Sequence, residues 1–338
     1  MRNITLGSTG ITVPQNAFGA LPIQRISKEA AVKLLRRAYE GGMRLFDTAR
    51  MYSDSEEKIS AAFGDMREKV FITTKTGAQT AEDYQKDLAT SLSWLGYIDI
   101  YQFHNPPFCP KPGDGTGLYE AMLEAKAAGK IRHIGLTNHR LHIAKEAIES
   151  GLYETVQFPF SYLATEDDLS VVRMAKEHNM GFIAMKGLSG GLINNSAAAC
   201  AWMTQFDNVL PIWGVQRANE LEEFLSYMKH TPAMTDEIRA LIDHDREELS
   251  GSFCRGCGYC MPCPMGIEIN QCARMSLMIR RAPTPAWMDE AGVARMKKIE
   301  ECINCRQCAS KCPYGLDTPA LLQENYKDFM EVLAGKPL

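Results

Sequence analysis

Cysteines constrain the fold of this chain more than any other feature, because eight of the eleven fall in two compact runs near the C-terminus. The first run contains Cys254, Cys257, Cys260 and Cys263 and is followed by Pro264; the second contains Cys302, Cys305, Cys308 and Cys312 and is followed by Pro313. Thiolates that recur at two-residue spacing and close on Cys-Pro converge on one corner of an iron–sulfur cubane. The sequence therefore predicts two [4Fe–4S] clusters, one-electron chemistry and a reducing, oxygen-poor setting such as the cytosol of an anaerobe.

The spacing resembles that of bacterial ferredoxins, which the second run matches in full and the first misses by one residue in its last gap. In two-cluster ferredoxins the fourth cysteine of each run binds the other cluster. By this resemblance cluster one takes Cys254, Cys257, Cys260 and Cys312, and cluster two takes Cys302, Cys305, Cys308 and Cys263. Zinc is the alternative occupant, but zinc sites use two Cys-x2-Cys pairs, so the triplets favour iron–sulfur. Cys272 is a reserve ligand in case Cys263 is wrongly placed.

Composition excludes several classes of partner. The 338 residues are enough for a barrel and a small second module, and 45% hydrophobic residues is ordinary for a globular protein. A net charge of −4 does not predict binding to nucleic acid or to an acidic membrane. There is no long uncharged apolar run and no signal peptide, so we expect no membrane partner and a cytoplasmic location. Many cysteines without an export signal indicate metal binding in place of disulfides.

Short apolar runs alternate with helical patterns over the first part of the chain. After a hairpin at residues 3–13, strands are expected at residues 17–21, 44–48, 70–74, 98–103, 131–136, 155–158, 181–185 and 209–212. Helices are expected between them, among others at residues 28–40, 55–63, 81–95 and 117–128. Eight strand–helix units in succession predict an α/β fold, a (β/α)8 or TIM barrel over residues 1–230. In that fold, chemistry lies where strands end and βα loops begin.

The alternation stops after residue 230. The chain then continues with a helical connector at residues 231–252 and a ferredoxin-type 4Fe-4S domain at residues 253–338. Helices are expected at residues 236–249, 268–281, 287–300 and 318–333. The spacer between the cysteine runs is too long for the small β-hairpin ferredoxin. We therefore expect a mainly α-helical ferredoxin-like domain, similar to that of succinate dehydrogenase-type electron-transfer subunits.

Four polar side chains fall near the carboxyl ends of successive predicted strands: Asp47, Tyr52, Lys75 and His104. A buried Tyr hydroxyl beside Lys⁺ is expected to have a lowered pKa, which suits a proton donor at neutral pH. Singly, these residues are explained as a helix N-cap, a core tyrosine, a surface lysine and a satisfied histidine. Their common position at strand ends favours a catalytic site.

Around these residues the chain resembles the aldo-keto reductase superfamily, over residues 1–230. The resemblance rests on Phe46-Asp47-Thr48-Ala49-x2-Tyr52, Ser55-Glu56, Lys75, His104 and Gly135-Leu136-Thr137-Asn138. It implies that Tyr52 is the general acid that protonates a carbonyl oxygen, that Lys75 and Asp47 tune it, and that His104 orients the substrate. It also implies a nicotinamide cofactor, NAD or NADP, that lies across the barrel mouth and supplies hydride.

The resemblance further implies a set of cofactor contacts: Thr137, Asn138 and Gln157 at the nicotinamide, Gly187, Leu188 and Ser189 over the pyrophosphate, and Gly214 and Arg217 in the adenosine segment. This segment departs from the family pattern, because Glu220 stands in place of the usual Arg and Phe224 in place of the usual Asn. Met185 likewise replaces the aromatic residue that normally stacks on the cofactor. Either Arg217 or Arg36 is a candidate for a 2′-phosphate, so the choice between NAD and NADP stays open.

Three functions fit these features. The favoured one is an NAD(P)-dependent oxidoreductase that interconverts a small carbonyl and an alcohol, with structural or regulatory clusters. In the second, the clusters pass electrons from a redox partner protein to the substrate in place of direct hydride transfer. In the third, the chain is an electron-transfer or docking subunit with an idle barrel. The complete set of four residues argues against the third, and the altered adenosine segment favours the second mildly over the first.

Overall fold

The structure, a computed structural model, describes residues 1–249 and 253–337. The chain divides into two compact units. The first contains Met1–Gly187 and Ser196–Thr235, and the second contains Leu188–Asn195 and the chain from Asp236 onward. The connector predicted at residues 231–252 and the domain predicted at residues 253–338 include residues 250–252 and 338, which lie outside the described residues.

The first unit is built around a closed barrel. Its strands are β1 (Asn3–Thr5), β2 (Thr12–Pro14), β3 (Ala17–Gly19), β4 (Leu45–Asp47), β5 (Phe71–Thr76), β6 (Ile98–His104), β7 (Ile131–Thr137), β8 (Thr155–Pro159), β9 (Gly181–Met185) and β10 (Val209–Gly214). Within the described residues, β3 to β10 are parallel, pair in chain order, and close through β10 and β3. The prediction of a (β/α)8 barrel is confirmed.

Helices follow the barrel strands. They are α1 (Lys28–Glu40), α2 (Ser55–Phe63), α3 (Ala81–Leu95), α4 (Leu118–Ala127), α5 (Leu141–Ser150), α6 (Glu166–Glu177), α7 (Ser196–Met203) and α8 (Ala218–Lys229), with short 3-10 helices at Pro22–Arg25 and Gly64–Lys69. Local sequence sets several boundaries: Thr80 accepts a hydrogen bond from Asp83 N at the start of α3, and Gly96 ends α3 with a positive φ of 74°. None of the described helices has both the length and the apolar character needed to cross a bilayer.

A β-hairpin closes the amino end of the barrel. Strands β1 and β2 pair antiparallel, with Ile4 opposite Val13. The apolar hairpin residues pack into one buried cluster with the amino halves of barrel strands: Ile4, Leu6, Ile11, Val13, Ala17, Leu45, Ile100, Ile183, Leu210 and Ile212. Burial of these side chains removes the amino end of the barrel from solvent. The carboxyl ends of the strands are left as the open face.

The second unit is helical, as predicted. Its helices are α9 (Asp236–Glu248), α10 (Ile269–Cys272), α11 (Met275–Arg281), α12 (Pro285–Met288), α13 (Glu290–Lys297), α14 (Gln307–Ser310) and α15 (Thr318–Leu333), with 3-10 turns at Ser189–Gly191 and Lys298–Glu301. The long helix α15 contacts α10, α11, α13 and α14. Its buried Phe329 and Leu322 contribute to the core of this unit.

Both long helices predicted between the cysteine runs are wrong in one respect, because each is broken in two. The first breaks at Arg274, where the buried Asn325 of α15 accepts from Ser276 N at 2.8 Å and donates to Ala273 O at 3.2 Å. The second breaks at Asp289, whose carboxylate caps α13 by accepting from Gly292 N at 2.8 Å. Side chains distant in sequence or a local cap satisfy the backbone groups at the breaks, so continuous helices are not required.

The buried carboxylate of Asp99 generates a stability prediction for the barrel. It is fully buried and accepts hydrogen bonds from Arg67 Nη2 at 2.8 Å, Arg132 Nη1 at 3.0 Å and Ile72 N at 2.9 Å. Asp99→Asn leaves the Arg67 charge without its counter-ion, so we expect the free energy of unfolding to fall by about 3 kcal/mol. Urea denaturation of the full chain followed by tryptophan fluorescence measures the change.

The matched control is Asp207→Asn, which breaks the exposed ion pair between Asp207 and Lys176. We expect a change below about 0.5 kcal/mol for this variant. Equal losses in the two variants would contradict the assigned role of Asp99.

Candidate active site and cluster sites

A buried ion pair joins two neighbouring barrel strands at the open end. Lys75 of β5 donates from Nζ to both carboxylate oxygens of Asp47 in β4, at 2.8 and 2.7 Å, and to Thr48 O at 2.6 Å. Thr73 Oγ1 donates to Asp47 Oδ1 at 2.5 Å. Lys75 is 1% exposed and Asp47 is 2% exposed. Every donor of the ammonium group is therefore used, and the pair has a single geometry.

The loop after β4 carries Tyr52 over this pair. Backbone bonds tie the loop to β5, from Thr48 N to Thr73 O at 2.8 Å and from Arg50 N to Lys75 O at 2.9 Å. Lys75 Nζ lies 5.1 Å from the centroid of the Tyr52 ring. The half-buried Tyr52 is thus held above the Lys75 ammonium at the edge of the barrel.

His104 ends β6 on the other side of Tyr52. The two ring centroids are 5.8 Å apart and the ring planes meet at 81°. Among the described residues, the buried Nδ1 atom of His104 has no hydrogen-bond partner. The structure therefore brings Asp47, Lys75, Tyr52 and His104 into one group, with an unused imidazole nitrogen beside the Tyr52 ring.

The electrostatics of this group differ from the prediction for Tyr52. Removal from water, together with the Asp47 carboxylate, raises the pKa of Tyr52 above its usual value near 10. The lowered pKa predicted for this hydroxyl is wrong, because burial disfavours the charged tyrosinate and the Asp47 carboxylate disfavours it further. Burial, opposed by Asp47, lowers the pKa of Lys75. Burial and the Lys75 charge lower the pKa of His104 to about 3, so its imidazole is neutral at physiological pH.

Glu56 belongs to the same site, although sequence reasoning gave it no role. Its carboxylate is 1% exposed and accepts from Thr74 Oγ1 at 2.6 Å and from Ser91 Oγ at 2.8 Å. It also pairs with Arg50, and its charge opposes the lowering of the Lys75 pKa. The signal in the sequence is a pair of polar residues, Ser55 and Glu56, that opens a helix whose other buried positions are mainly apolar.

The expected nicotinamide contacts lie at the end of β7 and in the middle of β8, and each already has a protein partner. Asn138 donates from Nδ2 to Pro106 O at 2.8 Å and accepts from Arg140 N at 2.8 Å. Gln157 Oε1 accepts from Gln102 Nε2 at 3.1 Å. Thr137 Oγ1 lies 3.8 Å from Met185 Sδ. These bonds therefore hold the loops and the barrel interior in place.

Of the residues expected to cover the pyrophosphate, Gly187 belongs to the first unit, and Leu188 and Ser189 belong to the second. A Cβ on Gly187 would lie 2.5 Å from the Trp213 ring, so this ring lies directly against the Gly187 backbone. Trp213 is itself buried and stacks on Phe224, with ring centroids 4.5 Å apart.

The adenosine segment has its own internal partner. Glu220 Oε2 accepts from Gln216 N and Arg217 N, each at 3.0 Å, at the start of α8. The exposed Arg217 side chain pairs with Glu220 at 3.4 Å. Gly214 is exposed at the end of β10, and Arg36 pairs with Asp65 at 2.5 Å. A carboxylate therefore occupies the helix N-terminus, the position that otherwise favours a phosphate.

The cysteines line two cavities in the second unit. One is lined by Cys254, Cys257, Cys260 and Cys312, together with Arg255, Gly258, Pro313, Tyr314, Leu316 and Thr318. The other is lined by Cys260, Cys263, Cys302, Cys305 and Cys308, with mainly apolar neighbours that include Met265, Ile267, Ile269 and Leu322. Cys272 lines neither cavity and lies 3.7 Å from Arg295 O. Four cysteines line the first cavity and five line the second, with Cys260 in both, so each has enough thiols for the four ligands of a [4Fe–4S] cluster.

Cysteine exposure differs between the two cavities. Cys254, in the first cavity, is buried, whereas Cys305, in the second, is exposed, as is the neighbouring Ile303 at 62%. The second cavity therefore has the more exposed thiol.

Across the described residues, no three His, Cys, Asp or Glu side chains surround a point as the ligands of one metal ion would.

The described barrel has the (β/α)8 fold, with Tyr52 over a buried Lys75–Asp47 pair at its open end. The aldo/keto reductase family model matches residues 4–199, and a 4Fe-4S dicluster domain matches residues 253–317. The chain therefore belongs to the aldo/keto reductase family and carries a C-terminal 4Fe-4S domain.

Individual relatives are similar over part of their length. The chain is 35% identical to an aldo-keto reductase of Mycobacterium avium over 135 residues, which is 38% of this chain and 46% of that protein. It is 33% identical to a methylglyoxal reductase of Yersinia pestis over 152 residues, 44% of this chain and 53% of that protein. It thus spans about half the length of these curated relatives.

A solved structure shows the same fold. This is an aldo/keto reductase of Klebsiella pneumoniae in complex with NADP and acetate, with a TM-score of 0.61 and 20% identity. The similarity covers 72% of this chain and 94% of that one.

The neutral state of His104 can be tested by its titration. Because the folded pKa of about 3 lies below the usual 6.5, we expect the imidazole to stay neutral from pH 8 to about pH 5 in the folded protein. Imidazole nitrogen shifts in NMR, assigned with His104→Gln, measure this. The same imidazole in the denatured chain is the control and should titrate near pH 6.5.

The same shift has a consequence for stability. A depressed folded pKa means that the unfolded chain binds the proton more tightly, so the contribution of His104 to stability is present above about pH 6.5 and is lost as pH falls toward 3. A midpoint near 6.5 in the folded protein would refute the neutral assignment.

Proposed function

We propose that this protein reduces a small carbonyl compound to the alcohol with a nicotinamide cofactor, and that Tyr52 supplies the proton. The observation that carries the proposal is the arrangement of four side chains at the open end of the barrel. The Asp47–Lys75 pair is buried, the Tyr52 ring lies 5.1 Å from the Lys75 ammonium, and His104 lies beside that ring. A hydroxyl, a positive charge and a neutral imidazole close together would suit the protonation of a carbonyl oxygen.

Each residue has a distinct task in this proposal. Tyr52 carries its proton at neutral pH, so it can act as the acid in the direction of reduction. The Lys75 charge stabilises the tyrosinate left after proton transfer, and Asp47 holds Lys75 in place. A neutral His104 offers a hydrogen bond to the carbonyl oxygen without competing for the proton.

The residues proposed to hold the cofactor are Thr137, Asn138, Gln157, Gly187, Leu188, Ser189, Gly214 and Arg217. When bound, the nicotinamide supplies the hydride that converts the carbonyl carbon to an alcohol carbon. Support for NADP comes from the Klebsiella pneumoniae relative, which was solved with that cofactor. Short carbonyl compounds of the methylglyoxal type are the proposed substrates, since relatives from several bacteria are methylglyoxal reductases.

The second unit is proposed to hold two [4Fe–4S] clusters. Cluster one would be bound by Cys254, Cys257, Cys260 and Cys312, and cluster two by Cys302, Cys305, Cys308 and Cys263. The assignment is supported by the cavity linings, since Cys312 lines the first cavity and Cys263 the second, as the exchange of the fourth cysteine between the two runs requires. Bound clusters supply one-electron transfer.

Tyr52→Phe tests the proton-transfer role. Removal of the hydroxyl should lower kcat/KM for NADPH-dependent methylglyoxal reduction by roughly 10²- to 10⁴-fold, the usual contribution of a general acid. Iron content and NADPH affinity should stay unchanged. Tyr39→Phe, in which the ring packs against Phe63 away from the site, is the matched control. Activity of Tyr52→Phe within tenfold of wild type would remove Tyr52 from the mechanism.

A second function is favoured by the adenosine segment, where Glu220 fills the helix N-terminus that would otherwise receive a phosphate. In this alternative, electrons arrive singly through the clusters from a redox partner, and two electrons with two protons convert the carbonyl to the alcohol. NADPH affinity separates the two proposals. Turnover with a one-electron donor and no detectable NADPH binding would favour the alternative.

Glu220→Gln tests whether this carboxylate opposes NADP. Loss of the negative charge should tighten NADPH binding by roughly tenfold and leave NADH binding nearly unchanged, because NADPH alone carries the 2′-phosphate. Fluorescence titration of both cofactors measures the effect. Glu222→Gln, on the same helix and paired with Arg37, is the control. An equal change for NADH and NADPH would show that Glu220 does not face the 2′-phosphate.

A further inference from the structure

Arg274 is a buried cation with unused hydrogen-bond donors. It lies at the break between α10 and α11 and is only 7% exposed. Its Nη2 atom donates to Gly190 O at 2.8 Å. Its Nε and Nη1 atoms are buried and have no hydrogen-bond partner in the part of the chain that the structure describes. Because unpaired donors are costly to bury, this edge of the guanidinium indicates a missing acceptor.

The unpaired edge lies against the loop that begins at Cys254. A Cβ on Gly256 would lie 2.8 Å from Nη1 and 3.2 Å from Nε of Arg274. Gly256 N donates to Cys254 Sγ at 3.4 Å, so Gly256 lies in the turn around this thiol. The unused donors therefore lie next to the first cysteine of cluster one.

The other arginines near the cavities are already engaged. Arg255 lies over the Tyr314 ring, 4.7 Å from its centroid. Arg306, which lines the second cavity, is exposed and pairs with Asp317 at 3.2 Å. Cluster one thus has a buried, unpaired positive charge, whereas the arginine beside cluster two is paired and exposed.

Arg274 also belongs to the attachment of residues 188–195. Arg274 bonds to Gly190 O, as described above. Two further bonds hold the same segment: Arg281 donates to Leu192 O at 2.7 Å, and Asn194 donates to Arg281 O at 3.4 Å. Arg281 is held by Asp245 at 2.6 Å, away from the cavities. Of these contacts, the bond from Arg274 connects the segment to the cysteine loop.

We propose that Arg274 is a positioning residue for cluster one. Its Nε–H and Nη1–H donate to sulfur atoms of the cluster, and its charge stabilises the more negative, one-electron-reduced state. Because Arg274 also donates from Nη2 to Gly190 O, a change in the charge of the cluster alters how firmly the segment Leu188–Asn195 is held. The inference rests on the proposed function for the existence of cluster one. Hydrogen bonds to sulfur and local charge are among the factors that set cluster potentials.

The test is an anaerobic redox titration of the full chain, followed by electron paramagnetic resonance. In Arg274→Met, cluster one should be harder to reduce, with at least a tenfold lower ratio of reduced to oxidised cluster at a given potential. That change corresponds to 59 mV for one electron. The potential of cluster two should not move. Arg280→Met is the control. It removes a cation of α11 that is paired with Asp328, and it should leave both potentials unchanged.

Iron content separates the two possible failures. A wild-type chain without about eight irons overturns the two-cluster proposal and this inference with it. Eight irons with an unchanged cluster-one potential in Arg274→Met overturns this inference alone. If Arg274→Met does not assemble cluster one, Arg274→Lys, which keeps the charge but not the forked donors, replaces it. Arg274→Lys should show an intermediate potential, and a wild-type potential overturns the role of the donors.

Hydrogen exchange tests the link to residues 188–195. Amide exchange in this segment should differ between oxidised and reduced wild-type protein, and the difference should disappear in Arg274→Met. Identical exchange in the two redox states of the wild type overturns the link.

Discussion

The buried ion pair between Asp47 and Lys75 is the constraint on which the barrel site depends. Two charges removed from water are stable only when their geometry is good and the remaining donors and acceptors are satisfied. Here Thr73 and the Thr48 carbonyl complete the set, and these partners come from β4, β5 and the start of the following loop. The loop that carries Tyr52 begins at Thr48, so the hydrogen bond from Lys75 to the Thr48 carbonyl also holds the start of this loop.

In the second unit, helix breaks have the corresponding organising role. The Asn325 amide satisfies backbone groups on both sides of the first break, where Arg274 has a non-helical conformation. The Arg274 side chain lies against Gly256, in the turn after Cys254. The break between the short helices thus places a cation beside a cysteine turn.

Much of this structure could be predicted from local sequence. Helices at residues 28–40, 81–95 and 318–333 have the predicted bounds, because caps such as Thr80 and Asp317 mark their starts. The position of Asp47, Tyr52, Lys75 and His104 at strand ends also follows from chain order. The direction of the Tyr52 pKa shift does not, because it depends on the burial of the hydroxyl and on its closeness to Asp47, which only packing sets.

The sequence by itself determined the barrel, the helical cluster domain and the identity of the thiols and of the four polar residues, since these follow from periodicity and spacing along the chain. Tertiary structure decided which groups share an environment. Glu56 entered the site, Glu220 took the start of α8, and Leu188–Asn195 joined the second unit. The physical reason is that burial and hydrogen-bond partners depend on contacts between segments far apart in sequence, which local patterns do not encode.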